Sequence, residues 1–224
     1  MKDIAKFIAG FERFQEKYFR DEQSVFSRLR RGQRPRALVI SCCDSRVDPA
    51  MLTGADPGDL FVVRNVANLV PPYRDDSEAP GIRAAIEFAV KNLGVEHIIV
   101  LGHSSCGGIQ ALMEGEGISE NRYEFIGAWV GIARRAREQV LRALPQKPPA
   151  VQARACEQAA LLVSLDNLLS FPWIRERVDK NALELHAWHF DIETGELLAY
   201  SAESATFSPL VRQPRPDQGA DTIA

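Results

Sequence analysis

Three short, nearly continuous apolar runs constrain the fold of this chain more than anything else in it. They are Ala37-Leu38-Val39-Ile40-Ser41-Cys42, Leu60-Phe61-Val62-Val63-Arg64 and Ile98-Ile99-Val100-Leu101-Gly102. Strands without apolar–polar alternation are buried on both faces, as in a parallel sheet covered by helices. Between the second and third runs, Ile82, Ala85, Ile86, Ala89 and Leu93 recur on one helical face, and Gly94 stops the pattern. This is a β-α-β unit with a right-handed crossover. The spacing predicts further helices over 110–115, 122–144 and 150–169, the last two separated by Pro145-Gln146-Lys147-Pro148-Pro149. A late strand over 183–191 turns at Thr194-Gly195 into Leu197-Leu198-Ala199-Tyr200, an antiparallel edge hairpin. The expected fold is α/β: a single domain with a mostly parallel central sheet flanked by helices, an edge hairpin and an N-terminal helical arm.

The arm occupies residues 1–33, where Ile4, Phe7, Ile8, Phe11 and Phe14 repeat at helical spacing before Gly32 and Pro35 end the pattern. So strong an apolar face must dock, either on the chain's own core or on a partner subunit. The α/β domain spans 34–207. Residues 208–224, with Pro209, Pro214, Pro216 and Gly219, are expected to be a mobile tail. The net charge of −3 provides no basic field for nucleic acid. Arg134, Arg135 and Arg137 read as a solvated helix face. No run reaches the roughly eighteen apolar residues of a membrane span. Four cysteines do not make a disulfide scaffold, and Lys2, Asp3 and Lys6 precede any apolar run, unlike a signal peptide. A reducing, cytoplasmic setting is expected.

Two motifs carry the chemistry: Cys42-Cys43-Asp44-Ser45-Arg46 after the first strand and His103-Ser104-Ser105-Cys106 after the third. Ligands in open α/β sheets bind beyond the carboxyl ends of strands at a topological switch point, so neighbouring strands would bring these ends together. Alternation puts Cys42 and Asp44 on one side and Cys43 on the other. Two thiolates and an imidazole favour Zn²⁺ over magnesium or calcium, and an iron–sulfur cluster would want four thiolates. The fourth donor is unusual. Arg46 offers a bidentate fork to Asp44, so two states compete: Asp44 on the metal, or Asp44 on Arg46 with water in the vacancy. A metal-activated water then supplies hydroxide. Two thiolates keep that water less acidic than histidine-only sites do, so activity should rise above neutral pH. Gly107 and Gly108 open a helix N-terminus beside the last ligand, where anions are favoured. The plainer alternatives are a structural zinc, a turn-capping Asp44–Arg46 pair, and Cys43 and Cys156 as small buried hydrophobes.

The pair Cys-x-Asp-x-Arg and His-x-x-Cys-Gly-Gly resembles the signature of the β-class carbonic anhydrases. The resemblance extends through Phe61 to Asn68, His97 to His103 and His186-Ala187-Trp188. It implies reversible hydration of CO2 to bicarbonate and a proton. It implies Zn²⁺ on Cys42, His103 and Cys106, one per subunit, with Asp44 as fourth ligand in a closed state. Asp44 and Arg46 match a dyad in which the acid orients zinc-bound hydroxide toward CO2. Gln33 matches a glutamine reaching the substrate from the neighbouring subunit, and Val66 and Phe88 line the CO2 pocket. The family dimerises through N-terminal helices and often forms tetramers. One branch has a regulatory bicarbonate pocket built from Trp, Arg and Tyr; here only Arg64 is retained, with Val39 and Phe190 at the other positions, which favours an open site. Rival readings are hydration of COS or CS2, a non-catalytic zinc protein that senses bicarbonate, and a thiol redox protein using Cys42 and Cys43.

Overall fold

The computed structural model describes residues 2–20, 24–75, 81–115 and 124–211. The described strands form one sheet in the order β2-β1-β3-β4-β5-β6. Strands β1 (Ala37–Cys42), β2 (Leu60–Asn65), β3 (His97–His103) and β4 (Glu184–Phe190) are parallel. Strands β5 (Leu197–Ser201) and β6 (Thr206–Val211) are antiparallel additions. The chain leaves β1 for β2 on one side and then crosses to β3 on the other. The switch point therefore lies between β1 and β3, at their carboxyl ends.

The expected apolar runs form β1 to β3, and burial explains their composition. Leu38 and Ile40 pack into the core beneath one face, with Ile98 and Val100. Val39, Ile99 and Leu101 form a smaller cluster with Trp188 and Phe190 on the other. Helix α4 (Gly81–Glu87) lies in the crossover and widens into a π-helical turn, Phe88–Leu93, before Gly94 ends it at φ 68°. The wider turn places Ala89 and Val90 side by side in the core. Helix α8 (Pro149–Leu169) starts on its proline, which has no N–H to lose at that position. Its Leu161 fills the space left by Gly102 of β3, where an added Cβ would lie 3.1 Å from Leu161 Cδ2.

Five expectations change. The arm is two helices, α1 (Lys2–Phe19) and α2 (Val25–Leu29), joined by a ring cluster of Phe14, Tyr18, Phe19 and Phe26. The helix expected over 122–144 breaks into α6 (Ile126–Val130), a 3₁₀ turn Gly131–Ala133 and α7 (Arg134–Ala143), because glycine is a weak helix former; Arg122 lies outside the described residues. The hairpin is not at the sheet edge, since β6 pairs beyond β5. Residues 208–211, assigned to a mobile tail, are therefore strand, and 212–224 lie outside the described residues. Pro209 is tolerated there because β6 is an outer strand, with a bulge opposite Leu197/Leu198. Two short helices had no sequence assignment: α3 (Pro49–Thr53) and α9 (Pro172–Asp179). Helix α5 (Gly107–Glu114) begins earlier than the pattern at 110 suggested.

Leu161→Ala would leave a cavity against β3 in a fully buried site. It should cost about 2–5 kcal/mol of stability, measured by urea denaturation; a change below half of that would mean the helix collapses onto Gly102.

Candidate metal centre

Parallel pairing of β1 and β3 matches Ser41 with Leu101, which brings Cys42 and His103 out at the same end of the sheet. The chain then doubles back through Ser105, held at φ 57°, so that Cys106 caps α5. Donor atoms of Cys42, His103 and Cys106 consequently lie within 4.8 Å of one another, all buried. The two sulfurs are 4.0 Å apart and both cysteines are free.

The imidazole is oriented as a ligand. His103 Nδ1 donates to the Ser104 carbonyl at 2.9 Å, and a carbonyl only accepts, so Nδ1 carries the proton and Nε2 a lone pair. That Nε2 is buried without a hydrogen-bond partner. Such an orphan is costly in a protein interior unless something binds it. Two sulfurs bound tetrahedrally at about 2.3 Å would sit roughly 3.8 Å apart, close to the spacing here. The donor set thus fits Zn²⁺. The neighbouring Cys106 thiol, hydrogen-bonded to Cys42, pulls the Cys42 pKa down against the opposing effect of burial, with His103 assisting. Cys106 is pushed the other way by the adjacent Cys42 and by burial. Burial disfavours a charged His103, but the adjacent Cys42 charge, with the Ser104 carbonyl and Asp44, outweighs this and raises its pKa.

Beside the donors, Arg46 grips Asp44. Nε donates to Oδ1 at 2.9 Å, Nη2 to Oδ2 at 2.7 Å, and the Arg46 backbone N–H to Oδ1 at 3.0 Å. The guanidinium holds the Asp44 carboxyl well below the usual carboxylate range, although burial opposes it. Asp44 Oδ2 stands 3.9 Å from His103 Nε2. Arg64 fixes the loop from behind, donating to the Cys42 carbonyl at 2.8 Å, the Asp44 carbonyl at 2.7 Å and Asp48 Oδ2 at 3.1 Å. Val39 and Phe190, the other two positions of the regulatory-pocket comparison, belong to a small apolar cluster instead.

Gly108 packs against the turn Val66–Asn68, where an added Cβ would lie 2.7 Å from Val66 Cγ1 and 2.9 Å from Ala67 Cβ. Gly107 faces open space. Val66 also accepts a hydrogen bond from Trp129 Nε1 through its carbonyl, at 2.7 Å. Phe88 and Gln33 lie away from this chain's own donors, Gln33 being a residue expected at the neighbouring subunit's site. Phe88 is exposed and packs on Phe61, which pairs with Leu38 at the amino half of the sheet. Gln33 lines an open groove of about 570 Å³ with Arg28, Leu29 and Asp59. Cys43 is exposed, not buried, whereas Cys156 is buried as expected, and burial pushes its thiol up to about 12.

Sequence reasoning missed the support behind Cys106. Glu157, on the buried side of α8, accepts from the Cys106 N–H at 3.3 Å and from His189 Nε2 at 3.2 Å. A lone acid in the apolar stretch Ala159-Ala160-Leu161-Leu162-Val163 and its preceding turn was the available signal. Asp191 similarly holds the His103 loop, receiving Ser104 Oγ at 3.4 Å, the Glu193 N–H at 2.9 Å and the Arg154 guanidinium.

A family model described as carbonic anhydrase matches residues 37–197. The chain is 42% identical over 181 residues to Beta carbonic anhydrase 5, chloroplastic, of Arabidopsis thaliana, covering 81% of this chain and 59% of that protein. The chain belongs to the β-class carbonic anhydrase family. Among solved structures, the β-carbonic anhydrase CcaA superposes with a TM-score of 0.87 at 34% identity, covering 96% of this chain and 94% of that one. A structure described among two tetrameric β-carbonic anhydrases of Sordaria macrospora gives 0.72 at 29% identity, covering 88% and 93%. The family model spans β1 to β4 and both ligand motifs.

Two substitutions test the scaffold. Gly108→Ala should cost about 1–3 kcal/mol by crowding Val66 and Ala67, read by urea denaturation. For Asp191, burial works against the charge, but the Glu193 and Thr194 N–H groups and Arg154 outweigh it and lower the pKa. Its contribution is present above the unfolded carboxyl value of about 3.9 and is lost as pH falls through the lower folded value. Asp191→Asn should therefore lose about 1–3 kcal/mol at neutral pH, and the gap to wild type should close in acid.

Proposed function

We propose that the chain catalyses the reversible hydration of carbon dioxide to bicarbonate and a proton. The observation that carries this reading is the Cys42, His103 and Cys106 donor set beside a carboxylate clamped by a bidentate arginine. Family membership supports it. Zn²⁺ held by these three residues would supply the Lewis acidity that makes hydroxide available from water.

The chain's own residues do the rest. Arg46 occupies Asp44 Oδ1 twice and Oδ2 once, which leaves acceptor capacity on Oδ2, the oxygen facing the donors. Oδ2 accepts the O–H of the attacking hydroxide, so that its remaining lone pair points at the carbon of CO2. Val66 offers apolar surface beside the substrate. Gly107 and Gly108 present the amino end of α5 to the bicarbonate charge that develops.

We also propose that the working form is a homodimer or tetramer in which the arm embraces a second copy of this chain and delivers Gln33 to the neighbouring site. Ile4, Phe7, Ile8 and Phe11 are each more than half exposed, and tetramers are described among the structural relatives. A reducing compartment suits the four free cysteines.

Stopped-flow CO2 hydration on protein of measured zinc content tests the catalytic reading. Asp44→Ala should lose about 10²–10³-fold in kcat/KM while keeping its zinc. Wild-type activity should rise from neutral to alkaline pH, as expected for a site with two thiolate donors. An inert, zinc-loaded wild type would overturn the reading. Phe7→Glu combined with Phe11→Glu should shift sedimentation toward the monomer, and an unchanged profile would rule out the arm as the interface.

A further inference from the structure

A second group of metal-ligating side chains lies at the other end of the sheet. His97 opens β3, and its register partner is Glu184 of β4, while Ile99 pairs with His186. Side chains two apart on a strand share a face, so Glu184 and His186 flank His97 on one surface. His97 Nδ1 and His186 Nε2 are 3.2 Å apart, and Glu184 Oε2 is 3.7 Å from each. All three donor atoms lie within 4.8 Å of one another. Donors held tetrahedrally at 2.0–2.1 Å around a metal are separated by about 3.3–3.4 Å. The triangle already has nearly those edges.

We propose that His97, His186 and Glu184 form a second divalent-metal site, taking a borderline ion such as Zn²⁺, at the amino ends of β3 and β4. Two imidazoles and a carboxylate suit zinc and related transition ions, and disfavour calcium and magnesium, which prefer oxygen. The backbone is anchored on both strands. The Glu184 N–H donates to the Glu96 carbonyl at 2.9 Å and the His97 N–H to the Arg36 carbonyl at 3.2 Å. Glu96, the nearest other acid along the chain, is engaged by Arg36 and does not compete. Burial, and then the neighbouring His97, lower the His186 pKa despite Glu184. Side-chain exposures of 39% for His97 and 68% for Glu184 leave an entry path and room for water as the fourth ligand. A metal there would replace the proton shared between the rings and join adjacent strands, one of which carries His103 at its far end. The proposal does not depend on the CO2 reading.

The test uses tag-free, full-length protein with one zinc per chain. It is dialysed against micromolar Zn²⁺, and bound metal is counted by atomic emission. Wild type should gain a second equivalent and show a raised Tm. Glu184→Gln and His186→Ala should each stay at one equivalent, lose the Tm rise and keep wild-type CO2 hydration. Co²⁺ added to zinc-loaded wild type should give tetrahedral ligand-field bands without sulfur-to-cobalt charge transfer, which separates this site from the cysteine centre. A wild type that stops at one equivalent would overturn the proposal, leaving the rings as a hydrogen-bonded pair. So would a second equivalent that survives in both variants.

Discussion

The in-register parallel pairing of β1 and β3 is the constraint on which the metal centre depends. Strand pairing sets where each chain segment leaves the sheet, and a shift of one residue would turn every side chain to the opposite face. Here the match of Ser41 with Leu101 delivers Cys42 and His103 to one end, with their donors inward. Register is secured by burial. Leu38, Ile40, Ile98 and Val100 face one core, and Val39, Ile99 and Leu101 face another. Any slip would have to move both sets out of place.

Around that frame, positively charged side chains serve two different ends. Arg64 spends its donors on backbone carbonyls of Cys42 and Asp44, so it shapes the loop. Arg46 spends its donors on the Asp44 carboxylate and also reaches the Ser105 carbonyl at 3.4 Å, so it fixes that side chain and ties the two motif loops together. On the far side, Glu157 and Asp191 hold the Cys106 and His103 segments from α8 and the end of β4. The loops that carry the donors are thus braced by Arg64, Glu157 and Asp191.

The sequence made the centre legible because the ligands lie next to strong local signals. Apolar runs mark β1 and β3, and Cys42, His103, Asp44 and Arg46 sit within a few residues of their ends. What escaped was non-local. Glu157 meets Cys106 only through the packing of α8 on the sheet. The neighbour of His186 in space is His97, across a register that no local pattern specifies. Phe88 likewise has a neighbour that no local pattern gives, Phe61 of β2. The length of the sheet was underestimated because prolines near the C-terminus suggested a tail, while an outer strand accommodates Pro209.

That proline has a consequence for how the molecule meets its neighbours. An unpaired strand flank is a template for adding further chains, and proline removes one of the donors such templating needs. The irregularity opposite Leu197/Leu198 also spoils the even spacing that a straight, growing sheet requires. The β6 flank therefore terminates the sheet. A flank carrying Pro209 and a bulge is a poor template for a further strand.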